Sequence, residues 1–299
     1  MLKRTLSDAV AVRFFMPSPA LQPYISTYYL TEVSVAEGEQ VSDWLHPEWA
    51  NLRFSRNDTC EAAIGDGPLQ RAPHFIATGP TSQAAQFVTG PMRSWGVGLL
   101  PLGWARLVDA PASAYADRSA DGGADPVFAD FAPLLDEIFQ GSPDPAAEAA
   151  RIDAFLLNLL SRRPPGDDEP RIRAAHGALV DAEMAAVADL AERLATSSRS
   201  LERLSLKAFG FSPKLLLRRQ RFLRSLAQFM LDPSLTWIST LDWHYVDQAH
   251  FVRDFRRFMG MSPSAYAALE HPVLRAAARA RAATAGAAVQ ALHPADKTG

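Results

Sequence analysis

One short pattern recurs at a distance of 50 residues, and it constrains the chain more than any other feature. Ala208–Pro213 reads AFGFSP and Phe258–Pro263 reads FMGMSP; the same offset aligns Leu201 with Phe251, Arg203 with Arg253 and Gly210 with Gly260. Self-similarity at a fixed spacing is the mark of one structural unit used twice.

Each copy has the spacing of a helix-turn-helix. In the first, Val187, Leu190, Ala191 and Leu194 recur at i, i+3, i+4 and i+7 and give this stretch one apolar face. Ala195–Ser197 supplies a tight turn, and Ser197 or Ser198 is placed to cap the next helix by accepting a backbone N–H. That helix, Arg199–Phe209, turns Leu201, Leu204 and Ala208 inward and leaves Arg199, Glu202 and Arg203 outside. In the second copy the pattern predicts a supporting helix over Trp237–Tyr245, a turn at Val246–Gln248 with Asp247 as cap, and a helix over Gln248–Met259. Phe251, Phe255 and Phe258 fall on its inner face, and His250, Arg253 and Arg257 on its outer one.

Pro213–Met230 joins the copies. Proline costs nothing at a helix start, where its missing N–H would be unpaired, and Leu216, Phe222, Leu223, Leu226, Phe229 and Met230 form an apolar stripe. A rigid linker helix fixes the separation of the two units, and recognition helices that enter successive major grooves must sit roughly 34 Å apart. Charge follows the same division. Met184–Pro272 carries 12 Lys+Arg against 8 Asp+Glu, a net of +4, while the rest of a chain of net charge −3 carries −7. The basic part is drawn to a polyanion, although a solvated helical face accounts for the same excess.

A length of 299 residues leaves room for two domains. Between about Ala11 and Asp109, short aromatic or β-branched runs such as Tyr24–Val35, Asn51–Phe54, His74–Thr78 and Ser94–Leu100 alternate with Pro and Gly. That alternation predicts a β sandwich or barrel, with Gly103–Val108 as a short helix leaving it. Val127–Phe139 and Pro145–Ser161 then read as helical. The expected class is α+β: a sensor or dimerisation domain over 1–163 (β-rich over 11–109, helical over 127–161), a Pro-rich linker over 164–170, and an all-α domain over 171–272. The Ala-rich tail, 273–299, reads as frayed or disordered. No apolar run approaches the roughly 20 residues of a membrane span, and no signal peptide is read. The single cysteine, Cys60, builds neither a disulfide framework nor a thiolate zinc site within one chain and reads as a buried thiol. A cytoplasmic setting is expected.

With these residues in hand, Val187–Tyr266 resembles the DNA-binding domain of the AraC/XylS family of bacterial transcription regulators. The most diagnostic stretch is Tyr245–Tyr266, YVDQAHFVRDFRRFMGMSPSAY, with its Asp-Gln, His-Phe, Arg-x-Phe and Gly-x-Ser-Pro-x-x-Tyr elements. The resemblance implies base reading by Arg199, Glu202 and Arg203 in the first recognition helix and by Gln248, His250 and Arg253 in the second, with Lys214, Arg218 and Arg257 on phosphates. Chemistry agrees: a guanidinium donates two bonds to guanine O6 and N7, Gln suits adenine, and Glu accepts from cytosine N4. A packing or capping role for His250 stands beside the DNA role, as do ion pairs to Glu202 or Asp254 for the arginines. Two positions depart from the family pattern. His244 stands where a turn glycine is usual, a substitution that costs most in a left-handed conformation; Ser205 and Leu206 replace an aromatic and a basic residue. Pro19–Tyr29 and Trp95–Asp117 are similar to the cupin-like β-barrel sensor domains of some of these regulators, which bind an effector or dimerise.

The implied function is a sequence-specific transcription regulator, with double-stranded DNA as partner and RNA polymerase, a small effector and a second copy of the chain as further partners. The alternative is a ligand-binding or enzymatic barrel whose C-terminal helices mediate protein contacts. Trp44, Trp49, Trp95 and Trp104 are the candidate effector lining, with ordinary core packing as the other reading. His46, Glu48 and His74 have the chemistry of a metal site but lack a third histidine, so no metal and no cofactor are assigned. No nucleophile elbow or phosphate loop occurs, and no enzymatic activity is expected.

Overall fold

The computed structural model describes residues 9–295, apart from 57, 58, 233 and 238. Among these residues, ten strands form two antiparallel sheets. They are β1 (Val10–Phe15), β2 (Ile25–Val33), β3 (Val41–Leu45), β4 (Ala50–Ser55), β5 (Glu61–Ile64), β6 (Gln70–Arg71), β7 (Phe75–Thr78), β8 (Ala85–Thr89), β9 (Met92–Leu99) and β10 (Ser119–Asp121). The larger sheet has the order β1-β2-β9-β4-β7-β10, and the smaller has the order β3-β8-β5-β6. In register, Leu30 faces Trp95 across β2 and β9, and Leu52 faces Val97 across β4 and β9. These four side chains are buried, so the alternation that predicts strands also selects the core face.

Helices α1 (Pro101–Leu107), α2 (Leu134–Ile138) and α3 (Pro145–Ser161) follow, with a 3-10 segment at Pro126–Phe131 where one longer helix is expected. Then come α4 (Glu169–Val180), α5 (Val187–Arg193), α6 (Ser198–Phe209), α7 (Pro213–Leu231), α8 (Gln248–Met259), α9 (Pro263–Ala267) and α10 (Pro272–Ala285). The repeated Gly-x-Ser-Pro now has a physical meaning. Gly210 (φ 84°) and Gly260 (φ 70°) end α6 and α8 in the left-handed conformation that other residues resist. Ser212 and Ser262 then accept from Leu215 N–H and Ala265 N–H, and Pro213 and Pro263 open α7 and α9. Each copy is a helix stop followed by a helix start.

Two expectations of domain organisation need correction. The linker over 164–170 is shorter than expected, since α4 already begins at Glu169, and it is tied down. Arg106 donates to Arg163 C=O and Glu169 Oε1, both at 2.5 Å, and Lys207 Nζ lies 2.9 Å from Asp168. One continuous core then runs from Leu21 through Ala291, so the helices share buried surface with the sheets. The tail is not disordered through residue 295. Helix α10 lies against β1 and β3, and Asp43 of β3 caps its start, accepting from Val273 N–H and Leu274 N–H at 2.9 Å. Gln290 beyond it donates to Ala50 C=O at 3.1 Å. The Ala-rich composition masked this because the small side chains permit close approach without an obvious apolar stripe; the anchoring groups are Asp43 and strand carbonyls more than 190 residues away.

Candidate nucleic-acid interface and barrel cavity

The first helix-turn-helix forms as its spacing predicts. Leu190 and Ala191 of α5 and Leu201 and Ala208 of α6 are buried. The turn passes through Ala195 at φ 46°, and Ser197 caps α6 by accepting from Ser200 N–H at 3.2 Å. Ser205, the departure from the family pattern, is buried on α6, whereas Leu206 is exposed. The end of α6 is seated on the barrel: a Cβ at Gly210 would lie 2.5 Å from Pro80 Cγ.

The second unit is built differently. No helix forms among the described residues of 232–247, so the expected supporting helix over Trp237–Tyr245 is absent. Short polar side chains compete with the helical ladder there. Asp232 accepts from Ser234 N–H, Thr236 from Ser239 N–H, and Asp242 from His244 N–H. His244 does not adopt a positive φ, so the strain expected from losing a turn glycine does not arise. Trp237 instead stacks on Phe229 with 3.8 Å between centroids and meets Phe251, Phe255 and Tyr266. Asp247 caps α8, accepting from His250 N–H at 2.6 Å.

What holds α8 is a buried carboxylate. Asp254, fully buried, accepts from Arg218 Nε, from Arg221 Nη2 at 3.3 Å and from the Tyr245 hydroxyl at 3.0 Å. One turn further along α7, Arg224 donates to Asp242 at 2.5 Å. Arg218, Arg221 and Arg224 thus form one stripe at a spacing of three. Isolated buried charge is costly, and this stripe supplies the pairing.

Seven of the nine residues implied for DNA contact, Arg199, Glu202, Arg203, Lys214, Gln248, Arg253 and Arg257, are exposed on α6, α8 and the start of α7. Arg218 and His250 are partly buried and engaged within the protein. Arg218 is bound to Asp254, and His250 Nε2 lies 3.1 Å from Arg221 Nη2 with its ring edge-on to Tyr245.

Between the two sheets lies a cavity of about 830 Å³. Tyr29, Thr31, Arg53, Ser55, Thr78 and Ser94 line it from the larger sheet, and Leu45, Ala62, Ile64, Ala85 and Phe87 from the smaller; His46, Glu48, Cys60 and His74 also line it. Arg53 Nη2 is 2.5 Å from Glu48 Oε1. Burial pushes the Glu48 carboxyl up, opposed by Arg53 beside it. Burial likewise raises the Cys60 thiol. His46 is held neutral, its pKa pushed down to about 3 by desolvation. No group of three metal-ligating side chains is found among the described residues. None of the four tryptophans expected to line an effector site lines this cavity. Trp49, Trp95 and Trp104 are core, with Trp95 Nε1 donating to Glu148 at 2.7 Å and Trp104 Nε1 to Ala110 C=O at 2.8 Å. Trp44 sits edge-on to His271. The β-strand period separates inside from outside but does not distinguish filled core from open cavity.

Residues 190–268 match a family described as a helix-turn-helix domain. This region, which runs from α5 to α9, is a helix-turn-helix domain. No curated protein matches the chain. Among solved structures, ToxT from Vibrio cholerae is similar at 11% identity, covering 77% of this chain and 97% of ToxT, with a TM-score of 0.44. A ToxT structure from Vibrio cholerae O395 bound to (E)-4-(8-methylnaphthalen-1-yl)but-3-enoic acid is 10% identical, with coverage of 86% and 97% and a TM-score of 0.44. The AraC-like transcriptional activator CuxR is 12% identical, covering 74% of this chain and 88% of CuxR at a TM-score of 0.25.

The helix-turn-helix domain meets the barrel at two neighbouring strips, His46–Trp49 and Pro80–Ala84. Fully buried Arg219 of α7 stacks on Trp49 at 4.0 Å and donates to Glu48 C=O at 3.2 Å and Thr81 C=O at 2.8 Å. Desolvation lowers its pKa to about 9, still charged at neutral pH. His46 Nε2 and the Tyr266 hydroxyl are 2.7 Å apart, and Ala84 N–H donates to Phe258 C=O at 2.7 Å. Sequence reasoning missed Arg219, the burial of Asp254 against the α7 arginines and the inward role of Tyr266. The arginine stripe on α7 was the available signal, because three cations on one helix face need carboxylates to meet them.

Proposed function

We propose that the chain is a sequence-specific transcription regulator whose AraC-type domain reads double-stranded DNA through α6 and α8 and whose barrel cavity holds a small effector. One observation carries this reading: two helices, each capped and held from behind by buried side chains, present Arg199, Glu202 and Arg203, and Gln248, Arg253 and Arg257, outward. The cavity volume suits a small organic molecule. The His46–Trp49 strip offers the physical route of control. A ligand that moves Glu48 or His46 changes the seats of Arg219 and Tyr266, and it shifts the domain's position only by as much as it favours one arrangement over the other. The same reading assigns regulation and no catalysis to the chain, places it in the cytoplasm, and gives it RNA polymerase and a second copy of itself as partners.

The test is selection from a randomised duplex pool across a salt series. The expected result is a motif of two half-elements about one helical turn apart, with affinity falling as salt rises. Sequence-blind retention at every salt concentration, by the full chain with or without a ligand library, would overturn the reading.

A further inference from the structure

Just before α8 the chain carries an apolar tip that neither the fold nor the DNA contacts above employ. Val246 is 88% exposed and Trp243 is 65% exposed, the two most exposed large hydrophobic side chains among the described residues. The tip stands on a fixed base. Trp243 stacks on His244 with 3.6 Å between centroids, and His244 Nδ1 lies 2.9 Å from Asp242, which Arg224 also holds. Val246 adjoins the Asp247 cap and therefore stands at the mouth of α8. Displaying such side chains to water is unfavourable unless another surface covers them.

The charge around the tip says which surface. Arg253, Arg256 and Arg257 are exposed along α8, and the Asp247 carboxylate is engaged by His250 N–H. That setting suits a polyanion. A recognition helix contacts base edges with its N-terminal residues, and the C5-methyl of thymine is the apolar group displayed on those edges in the major groove.

We propose that Val246 reads a thymine C5-methyl at the entry end of α8, with Trp243 packing against the sugar of the same strand. The inference rests on the DNA-binding reading above and adds a specificity contact independent of the hydrogen bonds of Arg253 and Gln248. Burial of one methyl group is worth about fourfold in affinity.

The experiment replaces each thymine of the selected duplex by deoxyuridine, which removes only the C5-methyl, and measures Kd for wild type, Val246→Ala and Trp243→Ala. One thymine in the α8 half-element should weaken wild-type binding about fourfold when replaced and leave Val246→Ala indifferent. Trp243→Ala should weaken all duplexes evenly. The salt slope should be the same for the three proteins, since no phosphate contact is altered. Identical deoxyuridine profiles for wild type and Val246→Ala would overturn the inference and leave the regulator reading intact, as would a Val246→Ala defect seen only when a protein partner is added. A wild type with no preference among duplexes would overturn both.

Discussion

The two helix-turn-helix units share a motif but not a construction. In the first, α5 supports α6, the turn closes through Ala195, and the end of α6 leans on the barrel at Pro80. In the second, no helix forms in the expected place among the described residues, and the position of α8 is set by Asp254 with Arg218, Arg221 and Tyr245 and by aromatic packing around Trp237. A recognition helix can thus be aimed by its neighbour along the chain or by a buried ionic network from the linker helix. The second solution concentrates its dependence on one carboxylate.

The largest test of that difference is Asp254→Ala. It leaves Arg218 and Arg221 facing an emptied site and should cost about 3 kcal/mol in urea unfolding; a loss below about 1 kcal/mol would show that aromatic packing alone holds the second unit. Acidification probes the first unit. His176, buried against Trp49, which also packs on Phe209 of α6, has its pKa lowered to about 4, chiefly by desolvation. The unfolded chain binds that proton near pH 6.5 and the folded chain does not, so stability is present above pH 6.5 and is lost as pH falls toward 4, by about 3 kcal/mol in all. His176→Phe should reduce that slope in an unfolding series and leave the share that buried His46 supplies.

Base contacts come next. Arg203→Ala and Arg253→Ala should each weaken the selected duplex by about 1–3 kcal/mol and relax preference at one position; if only Arg253→Ala does so, the second unit carries the specificity. The caps should differ more subtly. Asp247→Ala and Ser197→Ala should each cost about 1 kcal/mol, the former more, because the described residues of 232–247 give α8 no adjacent helix like the one α5 gives α6. Smallest of all, Ala195→Gly should stabilise the first unit by about 0.5 kcal/mol, relieving a left-handed residue.

Local physics was legible. Ser197, Asp247 and Pro213 mark helix starts whose determinants lie within four residues, and the buried Leu201 and Phe251 follow from period alone. The Trp237–Tyr245 segment was misread because its apolar spacing is helical while Ser239, Thr240 and Asp242 satisfy turns. Asp254 looks like any charged residue on a polar helix until α7 lies beside it. The cavity was not legible at all: which strand residues face empty space depends on how two sheets are spaced, and the tryptophans went to fill the core.

The seat of α10 also bears on how the protein is made. Asp43 and the carbonyls of Ala50 and Leu99, all in the first third of the chain, find their partners at Val273, Leu274 and Gln290. A ribosome therefore releases the sheets before it has synthesised the residues that complete them. Until 272–292 emerge, β1 and β3 lack their covering helix, and the sheets must wait for the helical half to be translated past them.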